Sequence, residues 1–191
     1  MDHLTTLLLA AQAGDRHALE RFVVESQHDV AAVCRYLGDP DTADDLVQET
    51  YARALAALHR FRATGPAKHW LLTIARRTCV DAIRRRARRR RLSAALEHHH
   101  DGDAVVTGVE QRFELDAELL ALDADRRAAF VLTQINGLRY EEAAGLLGVP
   151  IGTIRSRVAR AREQLAKAMT DGTGSVPVEE LPDAQRRPLS G

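Results

Sequence analysis

Tyr140-Glu141-Glu142-Ala143-Ala144-Gly145-Leu146-Leu147-Gly148-Val149-Pro150-Ile151-Gly152-Thr153-Ile154-Arg155-Ser156-Arg157-Val158 is the stretch that decides the fold. A short apolar-periodic run ends at Gly148, a residue that closes helices by taking the left-handed conformation. Pro150 then opens a new element, and a turn of three to four residues between two helices is the spacing of a helix-turn-helix. The second helix sorts cleanly at a 3.6-residue period. Ile154, Val158, Ala161 and Leu165 fall on one side, where they pack on the domain. Thr153, Ser156, Arg157, Arg160 and Gln164 fall on the other, all donors suited to phosphates and base edges, with Arg155 and Arg162 on a flank. From Ile151 to Ala168 the net charge is +4, against the blander alternative of a hairpin that only supports a core. Turn chemistry, facial segregation and basic excess agree, and that favours a helix whose N-terminal turn enters a major groove.

Outward from this motif the pattern stays helical. Hydrophobic residues make up 45% of the 191, aromatics only 4%, and Ala, Leu and Arg, all strong helix formers, are abundant. Upstream of the motif, helices are expected over Glu110–Ala121 and Ala124–Asn136, and the second helix of the motif over Ile151–Met169. Further upstream, Leu4–Ala13, His17–Leu37, Ala43–Phe61 and Lys68–Arg90 fit helices, broken at Gly14-Asp15, Gly38-Asp39-Pro40-Asp41 and Thr64-Gly65-Pro66. Asp41 is expected to cap the third of these, with Asp44 and Asp45 in its first turn. The fold class is all-α: a helical domain over 1–92, a flexible linker over 93–109, a helix-turn-helix domain over 110–169 and a disordered tail over 170–191.

The formal net charge is zero, but it is unevenly placed. Residues 1–59 carry −6, residues 60–91 carry +11 and residues 92–191 carry −5. A concentrated basic block in an otherwise acidic chain is the footprint of a polyanion partner. The run Arg84 to Arg91 points in nearly every direction around its helix, which suits phosphate neutralisation better than base readout. On the same helix Leu71, Ala75, Thr78, Cys79 and Ala82, extended by Leu72 and Ile83, form an apolar side. Trp70, Arg77, Asp81 and Arg84 project elsewhere. An aromatic beside arginines is a platform for unstacked bases, although a Trp tucked under the preceding loop reads equally well from the residues. In the helix before it, Leu46, Val47, Thr50, Ala54, Ala57 and Leu58 make an apolar face, and Asp45, Gln48, Glu49 and Ala52 face away. That acidic face would repel DNA; on composition it is a solvated surface more readily than a protein-docking one.

Several function classes drop out. No apolar run reaches the ~18 residues of a membrane span, and Met1 to Ala13 has no basic leader, so a cytoplasmic protein is expected. Cys34 and Cys79 lack metal or disulfide spacing and read as small core residues. His98-His99-His100 with Asp101 and Asp103 could suggest a metal site, but adjacent histidines on a polar loop cannot all face one ion without ordering cost. With no Gly-rich phosphate loop and no nucleophile–base pairing, the reading is of a protein that is not an enzyme and needs no cofactor, metal or small-molecule substrate. An autonomous helix-turn-helix regulator is the alternative; it leaves the Trp70 face and the acidic helix unexplained.

Together these motifs, over about Leu4 to Met169, resemble the extracytoplasmic-function sigma factors, the compact two-domain branch of the bacterial sigma-70 family. Ala43-Asp44-Asp45-Leu46-Val47-Gln48-Glu49-Thr50-Tyr51-Ala52-Arg53-Ala54 resembles the segment that docks on the clamp helices of the polymerase. The resemblance implies that Asp44, Asp45, Gln48 and Glu49 contact core RNA polymerase, which displaces the solvated reading. Phe61-Arg62, followed by Trp70-Leu71-Leu72-Thr73-Ile74-Ala75-Arg76-Arg77, resembles the segment that melts promoters and reads the minus-ten element. Phe61, Arg62, Trp70, Arg76, Arg77, Asp81 and Arg84 are its implied DNA residues, and the Ala63–His69 loop its base-capturing loop. Many members carry Asn where this chain has Arg77. Thr153, Arg155, Ser156, Arg157 and Arg160 are the implied minus-thirty-five contacts. The implied partners are core RNA polymerase, promoter DNA and an anti-sigma factor.

Overall fold

A computed structural model describes residues 1–96 and 110–172. Eight α-helices run through them: α1 His3–Gln12, α2 Arg16–Leu37, α3 Ala43–Ala57, α4 Ala67–Leu96, α5 Glu110–Ala121, α6 Ala124–Phe130, α7 Tyr140–Leu147 and α8 Ile151–Gly172. No strand occurs among the described residues.

Each early break has a chemical cause. Asp2 caps α1 by accepting the Thr5 amide at 3.0 Å, and Asp15 caps α2 by accepting the Ala18 amide at 3.0 Å. Between α2 and α3 the chain makes a 3₁₀ turn, Pro40–Thr42, capped by the Asp39 side chain; Asp41, expected as the cap of α3, is inside that turn instead, and Thr42 takes the cap position without a side-chain bond. Pro40 accounts for the shift, because its fixed φ suits the first position of a turn and leaves the residue before it as the cap. The third helix ends at Ala57, not Phe61, and continues as a 3₁₀ turn over Leu58–Arg60.

α1 to α4 pack around Leu8, Phe22, Val30, Val33, Leu71 and Leu72, all essentially inaccessible. Gly38 sits where α2, α3 and α4 converge. A Cβ there would lie 2.5 Å from both the Cys34 carbonyl oxygen and Leu46 Cδ1, so only glycine fits. Both cysteines are buried in this core. Ile83, expected on the apolar side of α4, is 49% exposed, because α4 has by then run past the helices that cover its first half. The helix continues to Leu96, so the first residues of the expected linker (93–96) are helical; 97–109, with the histidine run, lie outside the described residues.

In the second half, α6 gives way to a π-helical segment, Val131–Ile135, where one continuous helix to Asn136 was expected. Such a bulge re-aims the side chains beyond it. Gly148 ends α7 at φ 69°, the left-handed value its role requires. Ile154, Val158, Ala161 and Leu165 are all buried against α5, α6 and α7. α8 runs through Gly172, so the expected tail begins as helix, and the residues beyond it are outside the described set.

The two halves are not separate bodies. α2 packs along α6 and the π segment, and the start of α4 approaches α7. Apolar residues of both halves merge into one core cluster. Tyr36 of α2 sits among Leu119, Leu122, Ala161 and Leu165 of the second half. Its hydroxyl donates to Asp116, which also accepts from Arg35. Burial and that carboxylate push the Tyr36 phenol up to about 12. Asn136, 1% exposed, donates its amide to the Asp29 carbonyl at 2.9 Å and carboxylate at 3.2 Å, while its own Oδ1 has no partner.

Candidate polymerase and nucleic-acid interfaces

The acidic face comes first. The α3 core positions Leu46, Thr50 and Ala54 are buried, which turns Asp44, Asp45 and Gln48 out to solvent. Glu49 lies partly covered because Arg53, one turn on, binds it at 2.7 Å. Asp45 and Glu49 edge a groove of about 1000 Å³ whose far wall is the arginine-rich half of α4, including Arg85, Arg86, Arg89 and Arg90. Arg86 closes one end of it by pairing with Asp39. A groove with one acidic and one basic wall, and Ile83 exposed between them, offers a partner both apolar and charged contacts.

The segment expected to melt promoters is built differently from the expectation. Phe61 is buried and supports Trp70, their ring centroids 5.2 Å apart and inclined at 59°. Phe61 is therefore the floor of the site and not a DNA-facing ring, because its side chain points into the α1–α4 core. Trp70 is half-buried: one side packs on Leu8, Phe22, Tyr51 and Leu58, and the other faces a pocket of about 480 Å³ formed with Arg60, Arg62, Thr64, Gly65, Pro66 and His69. Trp70 is thus a packed ring with one open edge. The exposed 62–66 loop, rich in donors, surrounds that edge.

Two residues that sequence reasoning missed fix this loop at its ends. Gln12 of α1 donates to the Leu58 carbonyl at 2.8 Å and the Phe61 carbonyl at 3.1 Å. Thr5, 3% exposed, accepts the Ala67 amide at 2.8 Å and donates to Asp2 at 2.6 Å. The first N–H of α4 is thereby satisfied by α1, which has no DNA residue of its own. Nothing in the one-dimensional pattern pairs residue 5 with residue 67.

Arg76 is partly covered and Arg77 exposed, and from Arg84 on the arginines of α4 are largely exposed. Asp81, expected as a DNA contact, has a side chain 47% exposed, and its carboxylate binds Arg53 of α3 at 2.8 Å. That guanidinium, with Arg85 and Arg84 near, holds the Asp81 carboxyl below its ordinary range.

On α8, Arg155, Ser156 and Arg160 are exposed and Thr153 partly so. The Ser156 hydroxyl donates to the Thr153 carbonyl at 3.0 Å. Arg157 differs: it pairs with Asp125 near the start of α6 and its side chain is 21% exposed, so it is only in part available to DNA. Among the described residues no cluster of His, Cys, Asp or Glu could hold a metal ion, and no helix is long and apolar enough to cross a membrane.

A family model for Sigma-70 region 2 matches residues 22–89, and one for Sigma-70, region 4, matches residues 112–165. The chain is 46% identical over 164 residues to the ECF RNA polymerase sigma factor SigC of Mycobacterium tuberculosis (strain CDC 1551 / Oshkosh), covering 85% of this chain and 89% of that protein. It is 33% identical over 175 residues to the ECF RNA polymerase sigma-E factor of Escherichia coli (strain K12), covering 83% and 90%. Among solved structures, the sigma factor RpoE bound to the anti-sigma factor NepR from Bartonella quintana superposes with a TM-score of 0.67 at 31% identity, over 80% of this chain and 96% of that one. CnrH bound to the cytosolic domain of CnrY gives 0.64 at 28% identity, over 89% and 99%.

Proposed function

The chain belongs to the extracytoplasmic-function branch of the sigma-70 family, and from that premise we propose how its surfaces share the work of an alternative sigma factor. Such a factor binds core RNA polymerase and directs promoter-specific transcription initiation. The region over 1–92 docks on the polymerase through Asp44, Asp45, Gln48 and Glu49. The same region opens the minus-ten element through Arg62, Trp70, Arg76, Arg77 and Arg84. The region over 110–169 reads the minus-thirty-five element through Thr153, Arg155, Ser156 and Arg160, with Arg157 joining once Asp125 releases it. The polymerase does the covalent chemistry; the chain itself catalyses nothing and works in the cytoplasm, where its DNA is.

The observation that carries this division is the segregation of charge: carboxylates on the exposed face of α3, guanidinium groups on α4 and α8. Phosphates reject the first and require the second. Melting needs a place to hold an exposed base, since each stacked step lost costs ~1.4 kcal/mol on average. The open edge of Trp70 supplies a π-face inside a polar pocket.

The structure in hand is closed, and the proposed action requires it to open. Two elements ~25 base pairs apart lie ~85 Å apart along duplex DNA. Halves that share one apolar core cannot touch both. An anti-sigma factor of the kind that binds the Bartonella relative is a further expected partner, one that would stabilise a compact arrangement.

In vitro transcription tests the proposal. Purified bacterial core polymerase with this chain should make specific transcripts from native promoter fragments that core alone does not make. Absence of transcripts, with no co-purification with core, would overturn it.

A further inference from the structure

Arg53 has no place in the division of labour above, yet it touches both of its halves. It lies on α3, one turn after the polymerase-docking carboxylate Glu49, and binds it at 2.7 Å. Its other nitrogen reaches across to α4 and binds Asp81 at 2.8 Å. Asp81 is the only acid among residues 60–91 and stands at the head of the arginine run, lining one hollow with Arg84, Arg85 and Arg88. A free carboxylate there would oppose the phosphates that the arginines attract.

We propose that Arg53 is a positioning residue for promoter opening: it neutralises Asp81 within the DNA-facing surface of α4 and, through Glu49, ties that surface to the helix that docks on polymerase. The proposal rests on the sigma reading above and reassigns Asp81, which serves DNA through Arg53 and reads no base. The alternative source of the same geometry is a mere surface ion pair, and such pairs contribute little to stability when exposed. The roles differ in what they demand. A structural pair matters to folding whatever the DNA does. A charge mask matters only when phosphates approach, and its loss is screened by salt.

The experiment uses holoenzyme assembled from the full chain and core polymerase, with opening read as permanganate reactivity of unpaired thymines on a promoter the wild type opens. R53M should slow opening by roughly five- to ten-fold at 0.1 M salt, as expected for one uncompensated carboxylate several ångströms from a phosphate at intermediate dielectric. The defect should shrink toward two-fold or less at roughly 0.5 M salt. R53K, which keeps the cation, should retain most of the opening. Adding D81N to R53M should restore it, a coupling that a double-variant cycle isolates. An R53M/D81N protein as slow as R53M, or an R53M defect independent of salt, would overturn the proposal alone. A changed minus-ten preference with D81N by itself would make Asp81 a base reader and overturn it too. Failure of wild-type holoenzyme to open any promoter would overturn the sigma reading and this proposal with it.

Discussion

Replacing Asp116 with alanine should open the closed form of this chain. Asp116 of α5 is the shared acceptor of the Tyr36 hydroxyl and the Arg35 guanidinium, both on α2. Tyr36 is partly buried, and a hydrogen bond from a neutral donor to a charged acceptor is worth ~1.5–3 kcal/mol. The Arg35 pair adds less, ~0.2–1 kcal/mol, because the Arg35 side chain is 47% exposed and solvent screens it. Together the loss is about 1.7–4 kcal/mol, or roughly 20- to 900-fold in the ratio of closed to open molecules. Tyr36→Phe should show the hydroxyl part alone, since its ring would still fill the space among Leu119, Leu122, Ala161 and Leu165. Energy transfer between dyes on exposed α3 and α8 positions, such as Ala52→Cys and Ala159→Cys, reads the separation directly. Cys34 and Cys79 are buried and should not label. The expected result is a low-transfer population that grows in the order wild type, Tyr36→Phe, Asp116→Ala, with helicity unchanged. Identical distributions in all three would refute the view that this contact holds the halves together.

On α8, Arg160→Ala should weaken minus-thirty-five binding by ~1–3 kcal/mol in holoenzyme gel shifts, and Arg157→Ala by less, because Arg157 first gives up Asp125. Asp125→Asn should correspondingly tighten binding by a few-fold at low salt, ~0.2–1 kcal/mol. Tyr36, raised to about 12 in the closed form, makes closure depend on pH. A group whose proton is held more tightly in the closed form stabilises that form below its free value near ~10, and the stabilisation is lost as pH rises toward ~12. The transfer signal should fall across that window in wild type and by less in Tyr36→Phe. Gly38→Ala should cost ~1–3 kcal/mol by overpacking and lower the melting midpoint by several degrees in a calorimetric scan, because its Cβ would meet a carbonyl and Leu46 at 2.5 Å.

How much of this was legible in the residues depends on the range of the interaction. Periodicity placed the buried face of α8 on Ile154, Val158, Ala161 and Leu165 because a helix repeats within a few residues. Gly148 announced the end of α7 for the same reason. The proposed surface roles come from the resemblance, since by composition alone the acidic face of α3 reads as merely solvated. What failed was nonlocal. Phe61 and Trp70 look alike in a chain, and both pack on the α1–α4 core, but Phe61 is buried in it while Trp70 is only half-buried and keeps one side open. Arg157 sits on the same face as Arg160, and nothing in α8 tells that Asp125 of α6 lies opposite one of them. The π-helical segment before Asn136 escaped notice because its pattern is that of the α-helix it interrupts.

That segment bears on how the chain is held closed. The bulge ends at Asn136, whose amide crosses to Asp29 of α2 while its carbonyl is buried without a partner. An unpaired buried acceptor costs free energy, so the contact gives back part of what the hydrogen bonds supply. Asp29 in turn binds Lys68 at the foot of α4, at 2.8 Å. One carboxylate thus serves both the interface between the halves and the helix proposed to act once they part. When Asn136 departs, Asp29 keeps Lys68, so α4 loses no anchor and only water needs to take the vacated site. An interface whose polar centre is incompletely satisfied and whose key acceptor retains a second partner is built to part at small cost. A fully apolar seam of the same extent would hold the two halves too tightly for the proposed reach to two DNA elements.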